Sequence, residues 1–231
     1  MITEDITQLS QLERYRRAFA ALGRVLADPT RTDEVLEFTT YINSTGNGDR
    51  IERYFANPSF QRLFAERRAI DSRLDLAALA ALPAGTLGHE YARFLGDRGL
   101  TPDVFDGPPA GVTDPRIAYV IQRMRQSHDL WHVVTGYDTD PGSEIALQAF
   151  TFAQSGARGS FFLAAFGTAR ALREKKSIAG ATLAGYRAGK RANWLPAFAW
   201  EDHWATPLAE VRRLLNITPV TYFAAAAAAA A

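Results

Sequence analysis

The chain has 231 residues, with 26 Lys plus Arg against 25 Asp plus Glu and a formal net charge of +1. That balance excludes a global electrostatic draw toward nucleic acid, and 47% hydrophobic with 22% charged residues excludes a disordered or fibrous chain. Cysteine is absent, which removes disulfides, thiolate catalysis, cysteine-ligated zinc and iron–sulfur chemistry together.

In chain order, the pattern is helical almost throughout. Leu9, Leu12, Tyr15, Phe19 and Leu22 recur at steps of three and four, which predicts a helix over 6–26 closed by Asp28-Pro29-Thr30. Thr32 is placed to cap a second helix, and the cluster 43–48 reads as a turn. Helical patterns follow over 51–55, 59–70, 76–82 and 87–95, and the Pro/Gly/Asp-rich stretch 102–113 reads as a surface loop. Asp114 with Pro115 starts a helix expected to run unbroken to about Val134 and to end at Gly136. Ser143 is the expected cap of the next helix, Gly156 to Gly159 breaks the apolar stretch after it, and further helices fall over 179–190 and 208–215.

These signals predict an all-α, single-domain helical bundle of about nine or ten helices. Residues 1–223 form that domain, and the alanine run 224–231 reads as an artefact or unassigned tail. The first residues, MITEDITQLSQLERYRR, place acids before any apolar block, unlike a secretory signal or a transit peptide. No stretch reaches the ~18 uncharged apolar residues of a membrane span. The expected location is therefore peripheral, on the cytoplasmic face of a membrane.

The segment that carries chemistry is His128-Asp129-Leu130-Trp131-His132, followed eleven residues later by Glu144. On a helix His132 lies about 40° from His128, and Asp129 about 100° from it. Ile117, Ile121 and Met124 lead into the same stripe, so two imidazoles and a carboxylate point inward, and a hairpin returns Glu144 to their level. Burying this polarity is costly unless it is paired, and a divalent ion cancels it. The donor set suits zinc, manganese or iron. Taken singly, each residue also fits an ordinary role: a core histidine, a hydrogen-bonded Asp–His pair, or an acid at a helix N-terminus.

The motif H-D-x-x-H-x11-E resembles the signature of the coenzyme Q (ubiquinone) biosynthesis protein 4 family. The resemblance extends to Leu82-Pro83-Ala84-Gly85-Thr86-Leu87-Gly88 with Glu90-Tyr91 and Arg93-Phe94-Leu95, to 118–123, and to Gly189-Lys190-Arg191-Ala192 with Glu201 and Trp204. It covers residues 10–217. The resemblance implies a divalent metal on His128, Asp129, His132 and Glu144, usually zinc, with iron, manganese or magnesium as other choices. It also implies a polyprenyl-binding cavity and removal of the C1 carboxylate from a polyprenylated 4-hydroxybenzoate, coupled to hydroxylation there. Implied partners are the polyprenyl lipid or prenylated aromatic acid, the membrane surface (the mitochondrial inner membrane in eukaryotic relatives) and the other ubiquinone enzymes, which the family is described as organising. A homodimer is a further open assembly.

Phe150, Phe152, Phe161, Phe162 and Phe166 offer apolar surface for such a tail, and fit helix–helix core equally well. Arg123 and Arg125, with Arg187, Lys190 and Arg191, are candidate anion holders or solvated surface. Three functions follow: a metal-dependent decarboxylase, a non-catalytic prenyl-lipid-binding scaffold with a structural metal, and a metallohydrolase acting on a prenyl phosphate, which the lack of an extra acid–base residue in the motif disfavours.

Overall fold

Asp-Pro starts, glycine stops and one back-bonding serine set the helix boundaries that matter for the site. The computed structural model describes residues 5–28, 31–45 and 48–220. It contains α1 (Gln11–Ala27), α2 (Thr32–Asn43), α3 (Gly48–Phe55), α4 (Pro58–Ala65), α5 (Leu76–Ala80), α6 (Leu87–Arg98), α7 (Pro115–Gln126), α8 (His128–Thr135), α9 (Pro141–Ser155), α10 (Arg158–Arg173), α11 (Ala179–Arg191) and α12 (Leu208–Leu214). Four short 3₁₀ turns accompany these twelve helices. No strand occurs among the described residues, whose only extended pairing is an isolated bridge between Thr86 and Pro207. The protein is all-α; the alanine run 224–231 lies outside the described residues.

Several boundaries differ from the expectation. The helix from Pro115 does not run through to Val134. Ser127 Oγ donates to the Arg123 carbonyl at 2.8 Å, a back-bond that bends helices, and the chain restarts as α8. Asp140, not Ser143, caps α9, accepting from the Gly142 and Ser143 amides at 2.9 and 3.1 Å with Pro141 behind it. Thr32 begins α2 instead of capping it, with Arg31 at the cap position. The helix expected over 59–70 stops at Ala65, and Arg67 then takes a left-handed φ of 53°.

Among the described residues three apolar clusters form. The largest joins Tyr91 and Leu95 of α6, Leu130 and Trp131 of α8, and Leu147 and Phe150 of α9. A second joins Leu22 of α1 to Phe38 and Ile42 of α2, with Phe162 of α10 against them. A third joins Ile51 and Tyr54 of α3 to Phe60 of α4 and Val120 of α7. A cavity of about 1060 Å³ is lined by Leu22 and Leu163 of the second cluster, Tyr54 and Val120 of the third, and Leu36 beside them. The α7 stripe of Ile121 and Met124 is only partly buried because it faces this cavity.

Candidate functional site

His128 begins α8 and His132 follows one turn later, so both imidazoles lie on one face of the same short helix. Their Nε2 atoms are 3.2 Å apart. Glu144, in the first turn of α9, reaches them from the facing helix: its Oε1 is 3.2 Å from His132 Nε2 and its Oε2 is 3.7 Å from His128 Nε2. His128, Asp129 and His132 each offer a donor atom within 4.8 Å of the others, a group that could hold a metal ion.

The proton positions decide what this cluster needs. Gly136 ends α8 with a φ of 80°, and the chain turns so that the Tyr137 carbonyl accepts from His132 Nδ1–H at 3.0 Å. In the neutral ring that bond selects the tautomer whose Nε2 presents a lone pair toward His128 and Glu144. Phe94 of α6 stacks on the other side of the same ring, at 5.4 Å and 24°, and Arg98 in turn lies over Phe94 at 4.0 Å. Lone pairs and a carboxylate facing one another repel unless a proton or a cation sits between them. The donor set therefore fits a divalent ion, with the carbonyl bond typical of a metal-ligating histidine.

The same electrostatics appear in the titration of the group. For His128, burial pulls the pKa down, but the Glu144 hydrogen bond and charge outweigh it and hold the imidazole above its ordinary range. For Glu144, burial pushes up, but the two imidazoles hold the carboxyl far below the usual carboxylate range. Asp129 is pushed up, by burial first and by the Glu144 charge as well. The buried Tyr91 phenol is pushed up by burial and by the Asp129 charge.

His128 and Glu144 also line the large cavity, so the cluster opens onto an apolar chamber at the upper end of ligand-pocket sizes. Of the five phenylalanines, Phe166 lines the cavity. Phe150 is fully buried against Trp131 in the largest cluster. Phe162 packs edge-on against Phe19 and Phe38, while Phe152 and Phe161 pack on each other toward the surface.

The cations divide as sharply. Arg123 is 1% exposed, and Glu201 takes its guanidinium fork from both sides with the Phe198 carbonyl adding a third contact. It holds the C-terminal segment to α7 instead of an external anion. Arg187, Lys190 and Arg191 are exposed on α11. Arg125 lines the cavity. Sequence reasoning missed Phe94, Tyr137 and Glu201 as supports of this region: Phe94 and Glu201 pair across a fold distance that periodicity does not encode, and Tyr137 acts through its backbone carbonyl, which no side-chain pattern marks.

Comparison with known proteins adds independent information. Residues 4–221 match the family model described as Coenzyme Q (ubiquinone) biosynthesis protein Coq4. The chain is 31% identical over 225 residues to the mitochondrial ubiquinone biosynthesis protein COQ4 homolog of Rattus norvegicus, covering 95% of this chain and 83% of the relative. The Danio rerio homolog is 34% identical over 211 residues, covering 87% and 76%. A crystal structure from Nostoc punctiforme, described as a ubiquinone biosynthesis protein, superposes with a TM-score of 0.72 at 31% identity, covering 87% of this chain and 97% of that one.

Proposed function

The chain belongs to the Coenzyme Q (ubiquinone) biosynthesis protein Coq4 family, and on that premise we propose that it removes the C1 carboxylate of a 4-hydroxy-3-polyprenylbenzoate with the help of a divalent metal, zinc being the first choice. The observation that carries this reading is the convergence of His128, His132 and Glu144 at the wall of an apolar cavity. A polar, metal-fitting cluster opening onto a lipid-sized chamber suits a substrate with a charged aromatic head and a long apolar tail.

His128, Asp129, His132 and Glu144 would hold the ion, and Tyr137 and Phe94 would keep His132 oriented toward it. A bound divalent ion supplies Lewis-acid charge against the negative charge that develops on the ring as CO₂ leaves. Breaking the C1–carboxylate bond leaves an electron pair on the ring carbon, which a proton takes to give a prenylated phenol. The hydroxylated product requires in addition a two-electron oxidant such as dioxygen. The apolar walls would place the tail, whose methylenes gain about 0.8 kcal/mol each on burial.

Access would come from a membrane surface. Phe19, Phe161 and Phe166 are 44%, 46% and 37% exposed, and Phe162 links all three at ring distances of 5.4 to 5.9 Å. This run of rings leads into the cavity at Phe166, where Arg170 and Lys176 also line the wall. Among the described residues no helix is long and apolar enough to cross a membrane. The Rattus norvegicus and Danio rerio relatives are described as mitochondrial proteins.

Four protein donors also favour a second reading: a closed tetrahedron is the mark of a structural metal, which fits a prenyl-lipid-binding scaffold for other ubiquinone enzymes. His132→Ala separates the two. In the enzyme it abolishes CO₂ release from 3-farnesyl-4-hydroxybenzoate and leaves 2-farnesylphenol binding largely intact; in the scaffold it lowers melting temperature and lipid binding together. Unchanged turnover in a folded, metal-free His132→Ala protein ends the enzymatic reading.

A further inference from the structure

The cavity wall carries a second polar feature that the metal cluster does not use. Arg125 sits in the last turn of α7 and lines the chamber with Ile121 and Met124. Its guanidinium reaches α2, where Nη2–H donates to Thr40 Oγ1 at 2.6 Å. Thr40 spends its own proton on the Leu36 carbonyl, also at 2.6 Å. Burial pulls the Arg125 pKa down to about 10, which leaves the group cationic at neutral pH.

Among the described residues no carboxylate pairs with Arg125. The acids that line the cavity are committed elsewhere: Asp140 caps α9, Glu144 faces the two imidazoles, and Glu174 bonds Arg170 and Lys176 at 2.9 Å each. Arg123, two residues earlier on the same helix, shows what a settled arginine looks like here, with both arms on Glu201. A guanidinium carries five N–H donors in a fork that matches a carboxylate or phosphate. One bond to a neutral hydroxyl leaves most of that capacity open on an apolar wall, and a half-buried cation in that position is stabilised by an anion brought in by a ligand. Arg50 on the same wall, bonded to the Asn43 carbonyl at 2.8 Å, adds positive charge to the chamber.

We propose that Arg125 is the anion anchor of this cavity, gripping the oxyanion headgroup, a carboxylate or a phosphate, of a ligand whose apolar part fills the chamber. The proposal rests on the reading of the chamber as a prenylated-acid site and deepens it. Arg125 and His128 are three residues apart and line the same cavity, so the anchored headgroup lies at the metal end and the tail runs away from it. A grip on the ground-state carboxylate selects the substrate without by itself lowering the barrier. Arg125 is therefore a specificity-determining residue.

The test measures binding of four probes to the full-length protein by tryptophan fluorescence: 3-farnesyl-4-hydroxybenzoate, 2-farnesylphenol, farnesyl monophosphate and farnesol. The parent should bind each anion roughly ten- to a hundredfold tighter than its neutral counterpart, the scale of a charge-assisted hydrogen-bonded pair. Arg125→Met should bring both ratios near one by weakening the anions alone, with affinity for the neutral probes and melting temperature unchanged. Arg125→Lys keeps the charge without the fork and should retain part of each preference, which covers the case in which methionine unfolds the chain. A folded Arg125→Met protein that keeps the acid preference overturns the anchor while leaving the decarboxylase reading in place. Arg125-dependent binding of farnesyl monophosphate with no binding of the benzoate supports the anchor and removes that reading. A parent that prefers neither anion overturns the anchor.

Discussion

Gly189 on α11 lies so close to Phe150 on α9 that a β-carbon at Gly189 would come within 2.6 Å of the Phe150 carbonyl oxygen and 2.8 Å of the Ala153 β-carbon. One turn earlier, Gly185 meets the Ala146 carbonyl still more tightly. Backbone-to-backbone contact of this kind needs glycine, and it fixes the helix that presents Glu144 to the two histidines.

Gly189→Ala is therefore expected to destabilise by about 1–3 kcal/mol through overpacking, lowering the melting temperature by roughly 2–12 °C for a chain of this size. Gly23→Ala on α1 is the control. Nothing lies within 4 Å of a β-carbon there, so relief of backbone entropy should stabilise the protein slightly. Equal melting temperatures for the two variants would contradict the packing argument.

Arg123 and Glu201 are 78 residues apart in sequence and share a buried two-armed ion pair. Removing one partner strands a charge in the interior, at a cost of roughly 3–5 kcal/mol. Glu201→Gln or Arg123→Met alone should show this loss in urea denaturation, and the double variant should be less unstable than the sum of the two. Additive losses would mean that the pair does not act as a unit.

The polar cluster at the start of α8 was legible because its information is local. His128, Asp129 and His132 are brought together by helical period, and a single turn returns Glu144. The division of labour among the arginines and phenylalanines was not. Arg123 and Arg125 share a helix and a charge, and only the arrival of Glu201 from the C-terminal segment makes one structural. Phe150 and Phe166 both read as apolar helix residues. One meets Trp131 and the other faces the cavity, a difference set by how α8, α9 and α10 dock. The Ser127 break was missed for a related reason: serine is tolerated in helices, and its bond to the Arg123 carbonyl appears only in three dimensions.

Acidity should act on the cluster with a definite sign. Without metal, Glu144 is held far below the carboxylate range, so its stabilisation is present above about pH 4.5 and is lost as pH falls through the depressed value. His128 is held above the histidine range, so its stabilisation is present below about pH 6.5 and is lost as pH rises through the raised value. The metal-free pair thus contributes most between these limits. Bound metal takes deprotonated ligands, so the melting temperature with zinc minus that with chelator should grow from about pH 5.5 to about pH 7.5. Glu144→Gln should remove most of that difference. A gap that shrinks as pH rises would refute a site built from these ligands.

The final expectation concerns the aromatic run at the surface. Phe19, Phe161 and Phe166 are each more than a third exposed and are linked through Phe162. A solvated run of rings ending at a cavity mouth suits contact with lipid, where burying a whole phenylalanine contributes about 1.5–3 kcal/mol. Phe161 is already half in solvent, so Phe161→Asp should fold, yet its carboxylate would be driven out of an apolar interface and repelled by anionic headgroups. In flotation with vesicles containing anionic lipid, the parent should rise with the lipid and Phe161→Asp should be depleted several-fold. Leu100→Asp, at an exposed leucine outside the run, should behave like the parent. Equal loss in both variants would indicate added negative charge acting generally, and no loss in Phe161→Asp would remove this face from membrane contact.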